Sequence, residues 1–250
     1  MHVFDTLIVG CGYFSAGYAL ARENCLICEE HQICDTGFYL PMRSFSYVPY
    51  TPKTIQGAEL FDIFNSMSLF KDGEQNTNYF EIAFCKFLAK TPLSILLKCR
   101  LISHEQRNDN LIDALIQTNS GLEHVLCKRI LNTTNSYKFK RYTVLFCAKN
   151  PEIQKICTAF DDAIIEPAFY EDRYALHFSL SGYDENTVKD MVVRKWEKLD
   201  TNAKILYMAP VFHAPNTANT TCDDNYQNPI MAFEAGYFYA KEQNDDTVNS

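Results

Sequence analysis

Apolar and polar positions follow two rhythms along this chain. Residues 6–9, "TLIV", form a short apolar run stopped by Gly10, the pattern of a strand buried on both faces of a parallel sheet. "GCGYFSAG" and the helix-compatible "YALARE" follow, and then "CLICE" at residues 25–29 gives a second buried-strand run. Residues 36–56 are rich in proline, aromatics and serine, an ordered loop by composition. Helices are expected over 57–70 and 78–90. In the second, Asn78 and Glu81 resemble a capping box, and Tyr79, Ile82, Ala83, Lys86 and Phe87 trace a mostly apolar face.

Further on, "LSILLKCRLISHEQ" reads as a strand. "NLIDALIQTNSGLEHVLCKRILNTTN" reads as strand, tight turn at Asn119–Gly121, strand, and a further buried strand at "RILNTT". "RYTVLF", "YALHFSLS", the helix "ENTVKDMVVRKWEKL" and "AKILYMAP" suit a small antiparallel sheet with one helix. "NPIMAFEAGYFYAKE" is a closing helix, followed by a polar tail from about Gln243.

A chain of 250 residues, 47% of them hydrophobic, can bury a full core as one large domain or as a domain with a sub-domain. The net charge of −8 and the lack of a basic stripe interleaved with aromatics argue against nucleic acid or an anionic membrane as partner. No apolar run approaches the roughly 20 residues of a membrane span. Met1 leads almost at once into a strand without a signal peptide, so a cytoplasmic protein is expected. Its ten cysteines are then expected to be small buried apolar residues rather than a disulfide framework. The "NTT" sequences at Asn132 and Asn219 are read as chance matches to the glycosylation pattern.

Cys25, Cys28, His31 and Cys34 recur at every third position and are all metal-ligand types. A strand over 25–29 sends Cys25 and Cys28 to opposite faces, where they cannot share an ion, so no metal is expected. The glycines carry other chemistry. Gly10 and Gly12 lie between a strand and a helix, where a turn this tight favours residues without Cβ. The second glycine lets backbone N–H groups approach a diphosphate. The helix N-terminus adds partial positive charge and free donors, and small Ser15 allows the helix to pack closely on the strand. Glu29 lies 19 residues beyond Gly10, close to the spacing of a carboxylate that holds a ribose diol and repels a 2′-phosphate.

With these residues in view, the chain resembles the glutathione-reductase-like, two-dinucleotide-binding-motif FAD flavoproteins. "DTLIVGCGYFSAGYALARENCLICEE" is similar to their N-terminal FAD fingerprint, "SGLEHVLCKRILNTTN" to their later hairpin-and-strand segment, and "NPIMAFEAGYFYA" to their closing helix. The resemblance implies a Rossmann-like FAD-binding domain with a parallel sheet and β-meander, in residues 1–137 and 209–242. It also implies a smaller α+β substrate domain with an antiparallel sheet, in 138–208, and a flexible tail over 243–250. FAD contacts are expected from Gly10, Gly12, Tyr13, Phe14, Ser15, Glu29 and Glu30, from Arg43 and Ser44 beyond the second strand, and from Thr133 and Thr134.

The chain departs from the family where Asn132–Asn135 replace a small-residue turn ending in glycine. The glycine-aspartate pair before the closing helix is absent, with Asp223 and Asp224 as candidate stand-ins. No Cys-x4-Cys redox pair exists, and the length leaves no room for a further NAD(P)H domain. His213 is the candidate proton-transfer residue, and His177 a candidate wall of a substrate pocket. The expected function is hydride transfer from a small-molecule substrate to FAD. The alternative is a non-catalytic dinucleotide-binding module acting as a sensor or interaction subunit.

Overall fold

A computed structural model of the chain describes residues 2–30, 33, 44–46, 48–71, 74–76, 79–134, 139–168, 171–179, 185–213, 221, 223, 226 and 228–245. The first apolar run becomes β1 (Val3–Val9), the glycine turn leads into α1 (Tyr13–Ala21), and "CLICE" becomes β2 (Cys25–Glu29). Asn24, at a positive φ of 58°, makes the turn between α1 and β2, a conformation that asparagine tolerates better than most residues. All five residues of β2 are buried, and it pairs in parallel with β1, Thr6 opposite Cys25 and Val9 opposite Cys28.

β3 (Ser44–Ser46), β4 (Phe70–Lys71) and β5 (Glu74–Asn76) make a three-stranded antiparallel sheet that the sequence pattern did not reveal. Strands of two or three residues are too short to show a period. α2 (Ile55–Ser66) and α3 (Phe80–Leu88) are the two expected helices. Thr54 caps α2, accepting from Gly57 N–H at 2.9 Å. α3 begins instead from Tyr79 without a side-chain cap; Asn78, expected to cap it, lies outside the described residues.

The strand expected over 93–106 is two, β6 (Ser94–Leu97) and β7 (Arg100–Gln106), separated where Lys98 takes a φ of 56°. β8 (Ile112–Thr118) and β9 (Gly121–Asn132) form the expected hairpin. "RILNTT" does not start a new strand but is the end of β9, which runs 12 residues without a break. The six-stranded sheet has the order β6-β2-β1-β9-β8-β7, parallel from β6 to β9 and closed by an antiparallel meander.

Alternation along the central strands assigns two cores. Ile8, Cys25 and Ile27 enter one with Tyr13, Phe64, Phe84 and Phe233 from the helices; Leu7, Leu26 and Cys28 enter the other with Cys99, Ile116 and Cys127 from the meander side. Each fully buried Leu or Ile contributes about 1.5–3 kcal/mol of transfer free energy. Cys25 and Cys28 are therefore on opposite faces, as alternation requires.

The second sheet, order β11-β12-β10-β13, is antiparallel: β10 (Phe139–Cys147), β11 (Ile164–Pro167), β12 (Arg173–Ser179) and β13 (Lys204–His213). Two helices cover it rather than the expected one, α4 (Asn150–Ala159) and α5 (Glu185–Glu197), with Ile156, Phe160, Val188 and Val192 packed on Val144, Phe146 and Leu176. α6 (Pro229–Asp245) closes the fold along α1. The two helices touch backbone to backbone, since a Cβ at Gly17 would run into the Phe233 carbonyl and one at Gly236 into that of Phe14.

Candidate functional site

The apolar run of β1 ends at Gly10, which turns the chain at a φ of 102°. Its N–H donates to the Cys28 carbonyl at 2.8 Å, fastening the turn to the end of β2. Thr133, just past β9, secures the other side: its N–H donates to Val9 O at 2.9 Å, and its hydroxyl lies 2.9 Å from Val9 O and 3.2 Å from Gly10 O. Thr134, exposed, folds back on Asn132 Oδ1 through its N–H at 2.9 Å and its hydroxyl at 2.7 Å. A Cβ on Gly10 would come within 2.7 Å of Thr133 Oγ1 and 2.8 Å of Thr134 Cγ2. Both threonines thus wall the glycine turn.

The next four N–H groups each have an acceptor. Cys11 N–H donates to Glu29 Oε2 at 2.7 Å, and Gly12 N–H donates to Ser15 Oγ at 2.8 Å. Tyr13 N–H donates to Asp223 Oδ2 and Phe14 N–H to Asp223 Oδ1, each at 2.7 Å. The sequence accounts for this need. Gly12 opens α1 without a side-chain acceptor, and no acidic residue stands in the first turn, so the positive end of the helix takes its anion from elsewhere. Asp223, 2% exposed, supplies it with both oxygens. A Cβ added to Gly12 would collide with that carboxylate.

Glu29 is 8% exposed, so it is a buried acid joined to the loop rather than a solvated strand-end residue. The Cys11 thiol lies among these acids, and its pKa is driven far up, first by burial and then by the Glu29 and Asp223 charges. It is an inert thiol. Ser15 turns its hydroxyl back on Gly12, accepting from the N–H and donating to the carbonyl at 2.8 Å. The Tyr13 and Phe14 rings are buried, Tyr13 against Phe64 and Phe84, Phe14 against Tyr226 and Tyr239. Both residues meet the Asp223 carboxylate through their backbone N–H groups.

The structure gathers Gly10, Gly12, Ser15, Glu29, Thr133 and the amides of Tyr13 and Phe14 into one cluster. Glu30 stands apart, exposed, with a long 3.7 Å contact to Arg100. Ser44 opens β3 opposite Asn76. His213 ends β13 opposite Phe139. Arg43 lies outside the described residues, as do His31 and Cys34. His177 is buried in β12, Nδ1 2.8 Å from Thr143 Oγ1 and Nε2 3.5 Å from Glu166 Oε2. Among the described residues no three His, Cys, Asp or Glu side chains group as a metal site, and no helix is long and apolar enough to cross a membrane.

Sequence reasoning did not find Glu234, 1% exposed in α6. Its Oε1 accepts from Lys53 N–H at 2.7 Å, Thr54 N–H at 2.6 Å and the Thr54 hydroxyl at 2.8 Å, and its Oε2 from the Tyr50 hydroxyl at 2.7 Å. A lone carboxylate in the otherwise apolar "PIMAFEAGYFY" was its signal. Thr221 and Asn228 flank Asp223: the Thr221 hydroxyl donates to Asn132 O at 2.9 Å, and Asn228 Oδ1 accepts from Ile230 N–H at 2.8 Å, starting α6.

No protein-family model matches the sequence, and no curated protein matches it. Solved structures do. A geranylgeranyl bacteriochlorophyll reductase-like protein from Thermoplasma acidophilum aligns with a TM-score of 0.55 at 13% identity, covering 98% of this chain and 80% of its own. A p-nitrophenol 4-monooxygenase from Pseudomonas putida DLL-E4 gives 0.53 at 11% identity, covering 84% and 67%. A flavoprotein/dehydrogenase from Cytophaga hutchinsonii gives 0.50 at 9%, covering 96% and 77%. Against some other matches the chain spans about half the partner's length, 52% in the case of BexE. At these identities the likeness is one of fold: the chain has the α/β architecture of Rossmann-like FAD-binding proteins, with a second, antiparallel sheet.

Proposed function

We propose that this chain is an FAD-binding protein of the flavin oxidoreductase type. The six-stranded sheet with α1 and α6 would be its dinucleotide unit, and the antiparallel sheet its unit for a small-molecule substrate. One observation carries the reading: the buried Glu29 carboxylate is bonded to the glycine turn through Cys11 N–H. Strand-end acid, turn and helix N-terminus thus form one unit of the kind that holds an adenosine ribose beside a diphosphate.

The fit is incomplete. The amides of residues 11–14 are engaged by Glu29, Ser15 and Asp223, so the cradle in this conformation does not admit a diphosphate. The oxidoreductase half of the reading is supported by the fold shared with the three proteins named above. A second reading, a non-catalytic dinucleotide-binding module, is favoured by Asn132–Thr134 where a small-residue turn would lie, with Thr133 and Thr134 crowding Gly10.

Titration with FAD, ADP and FMN, followed by flavin fluorescence and calorimetry, tests the first reading. FAD and ADP are expected to compete for one site that FMN does not enter. Failure of both to bind, in the parent and in an Asp223 variant alike, ends it. Bleaching of the bound flavin by reduced small molecules separates the enzyme from the module.

A further inference from the structure

The Asp223 carboxylate sits at the N-terminus of α1, the end of a helix that binds diphosphate in Rossmann-type folds. Both of its oxygens accept from consecutive amides at the start of α1, each at 2.7 Å, across 209 and 210 residues of sequence. The site is also filled in space. Gly12 has no side chain, and the volume its Cβ would take is bounded by the Asp223 carboxylate. A glycine here normally leaves that volume for a phosphate oxygen.

The carboxylate is held from both sides of its own segment. Thr221 is buried and donates to the end of β9. Tyr226 N–H donates to Asp223 O at 3.0 Å, and its ring stacks on Phe14 with centroids 6.3 Å apart. An ordinary N-cap sits next to its helix in sequence and accepts one N–H. Asp223 instead arrives from the chain preceding α6 and accepts two, which is how a bound anion is met at a helix N-terminus.

We propose that Asp223 is an internal substitute for the ligand's diphosphate, and that a dinucleotide enters only as this carboxylate withdraws. The proposal rests on the dinucleotide reading of the site given above. Two anions cannot share the same pair of N–H donors in a buried pocket, so binding is an exchange of one acceptor for another. The energetic consequence is a reduced apparent affinity. When the binding-competent form is a fraction f of the population, Kd rises by 1/f, so a carboxylate docked about nine-tenths of the time weakens binding about tenfold. Loading then becomes conditional on release of the Asp223 carboxylate from the Tyr13 and Phe14 amides.

The parent chain, Asp223→Asn and Asp223→Ala are titrated calorimetrically with FAD and, separately, with inorganic pyrophosphate. Both variants are expected to bind both probes at least about tenfold more tightly than the parent. Pyrophosphate bound tightly by the variants while FAD is bound by none of the three proteins supports the substitution and ends the FAD reading. Equal or weaker binding of both probes by the variants overturns the proposal, since Asp223 would then be no competitor. Asp223→Asn retains the shape and one acceptor oxygen, and carries the test if the alanine variant does not fold. If neither folds, hydrogen exchange in the parent decides. Saturating pyrophosphate is expected to speed exchange in the peptide containing residues 221–226, and unchanged exchange overturns the proposal.

Discussion

Glu29 has two separable roles, and replacing it measures both. The structural role is the bond that Cys11 N–H donates to Oε2 at 2.7 Å within a residue only 8% exposed. A hydrogen bond to a buried charged group contributes about 1.5–3 kcal/mol. Glu29→Ala removes it and leaves the Cys11 N–H without its acceptor at the sharpest turn of the site. For a chain of this size each kcal/mol moves Tm by about 2–4 °C, so the expected fall is about 3–12 °C. Glu29→Gln keeps an acceptor oxygen at the same reach and exchanges a charged bond for a neutral one, so about 1 kcal/mol is lost.

The ligand role predicts a different ordering. A carboxylate holding a ribose diol contributes a comparable 1.5–3 kcal/mol to affinity, so Glu29→Ala is expected to weaken FAD binding by about 10- to 100-fold while leaving FMN unchanged. Thermal unfolding followed by circular dichroism gives the first quantity, and parallel FAD and FMN titrations give the second. A Tm for Glu29→Ala within about 1 °C of the parent would refute the bond to Cys11 as a stabilising element. Equal loss of FAD and FMN would mean that the turn had collapsed, with no specific contact to the adenosine half.

Two further outcomes follow from buried groups. Glu234→Ala leaves the Lys53 and Thr54 amides without their acceptor, at about 1–3 kcal/mol each, and is expected to lower Tm by about 4 °C or more, with Glu234→Gln in between; a drop of about 2 °C or less would show that α6 does not anchor the start of α2. Burial pushes the Cys11 and Cys28 thiols far above the usual range while Cys157 is exposed, so alkylation of the native protein at mildly alkaline pH is expected at Cys157, with Cys11 and Cys28 reacting only after unfolding. Mass spectrometry of peptides checks this, and early modification of Cys11 would contradict a closed cradle.

Local rhythm and turn chemistry were legible in the sequence where they were strong. β1, the glycine turn, α1 and β2 could be read together because an apolar run, two glycines and a strand-end acid lie within 30 residues. The β8–β9 hairpin followed from its Asn119–Gly121 turn, and α5 and α6 from their length. α4 escaped because only Ile156 of its residues is fully buried, although Pro151 at its start was a usable signal. β11, four residues at a sheet edge ending in proline, carries no period at all.

The sequence by itself therefore determined the strongly patterned elements and the kind of loop that joins β1 to α1. The tertiary structure decided what that loop touches. β9 lies parallel to β1 with Val9 opposite Asn132, Glu234 reaches α2 across about 180 residues, and Asp223 reaches α1 across more than 200. No window of sequence encodes such partners. They are selected when helix packing through Gly17 and Gly236 brings α6 against α1 and leaves unpaired amides and buried carboxylates within bonding distance. Closing a long loop costs little more than closing a moderate one, so the contacts that complete the site are set by packing and polar satisfaction rather than by proximity along the chain.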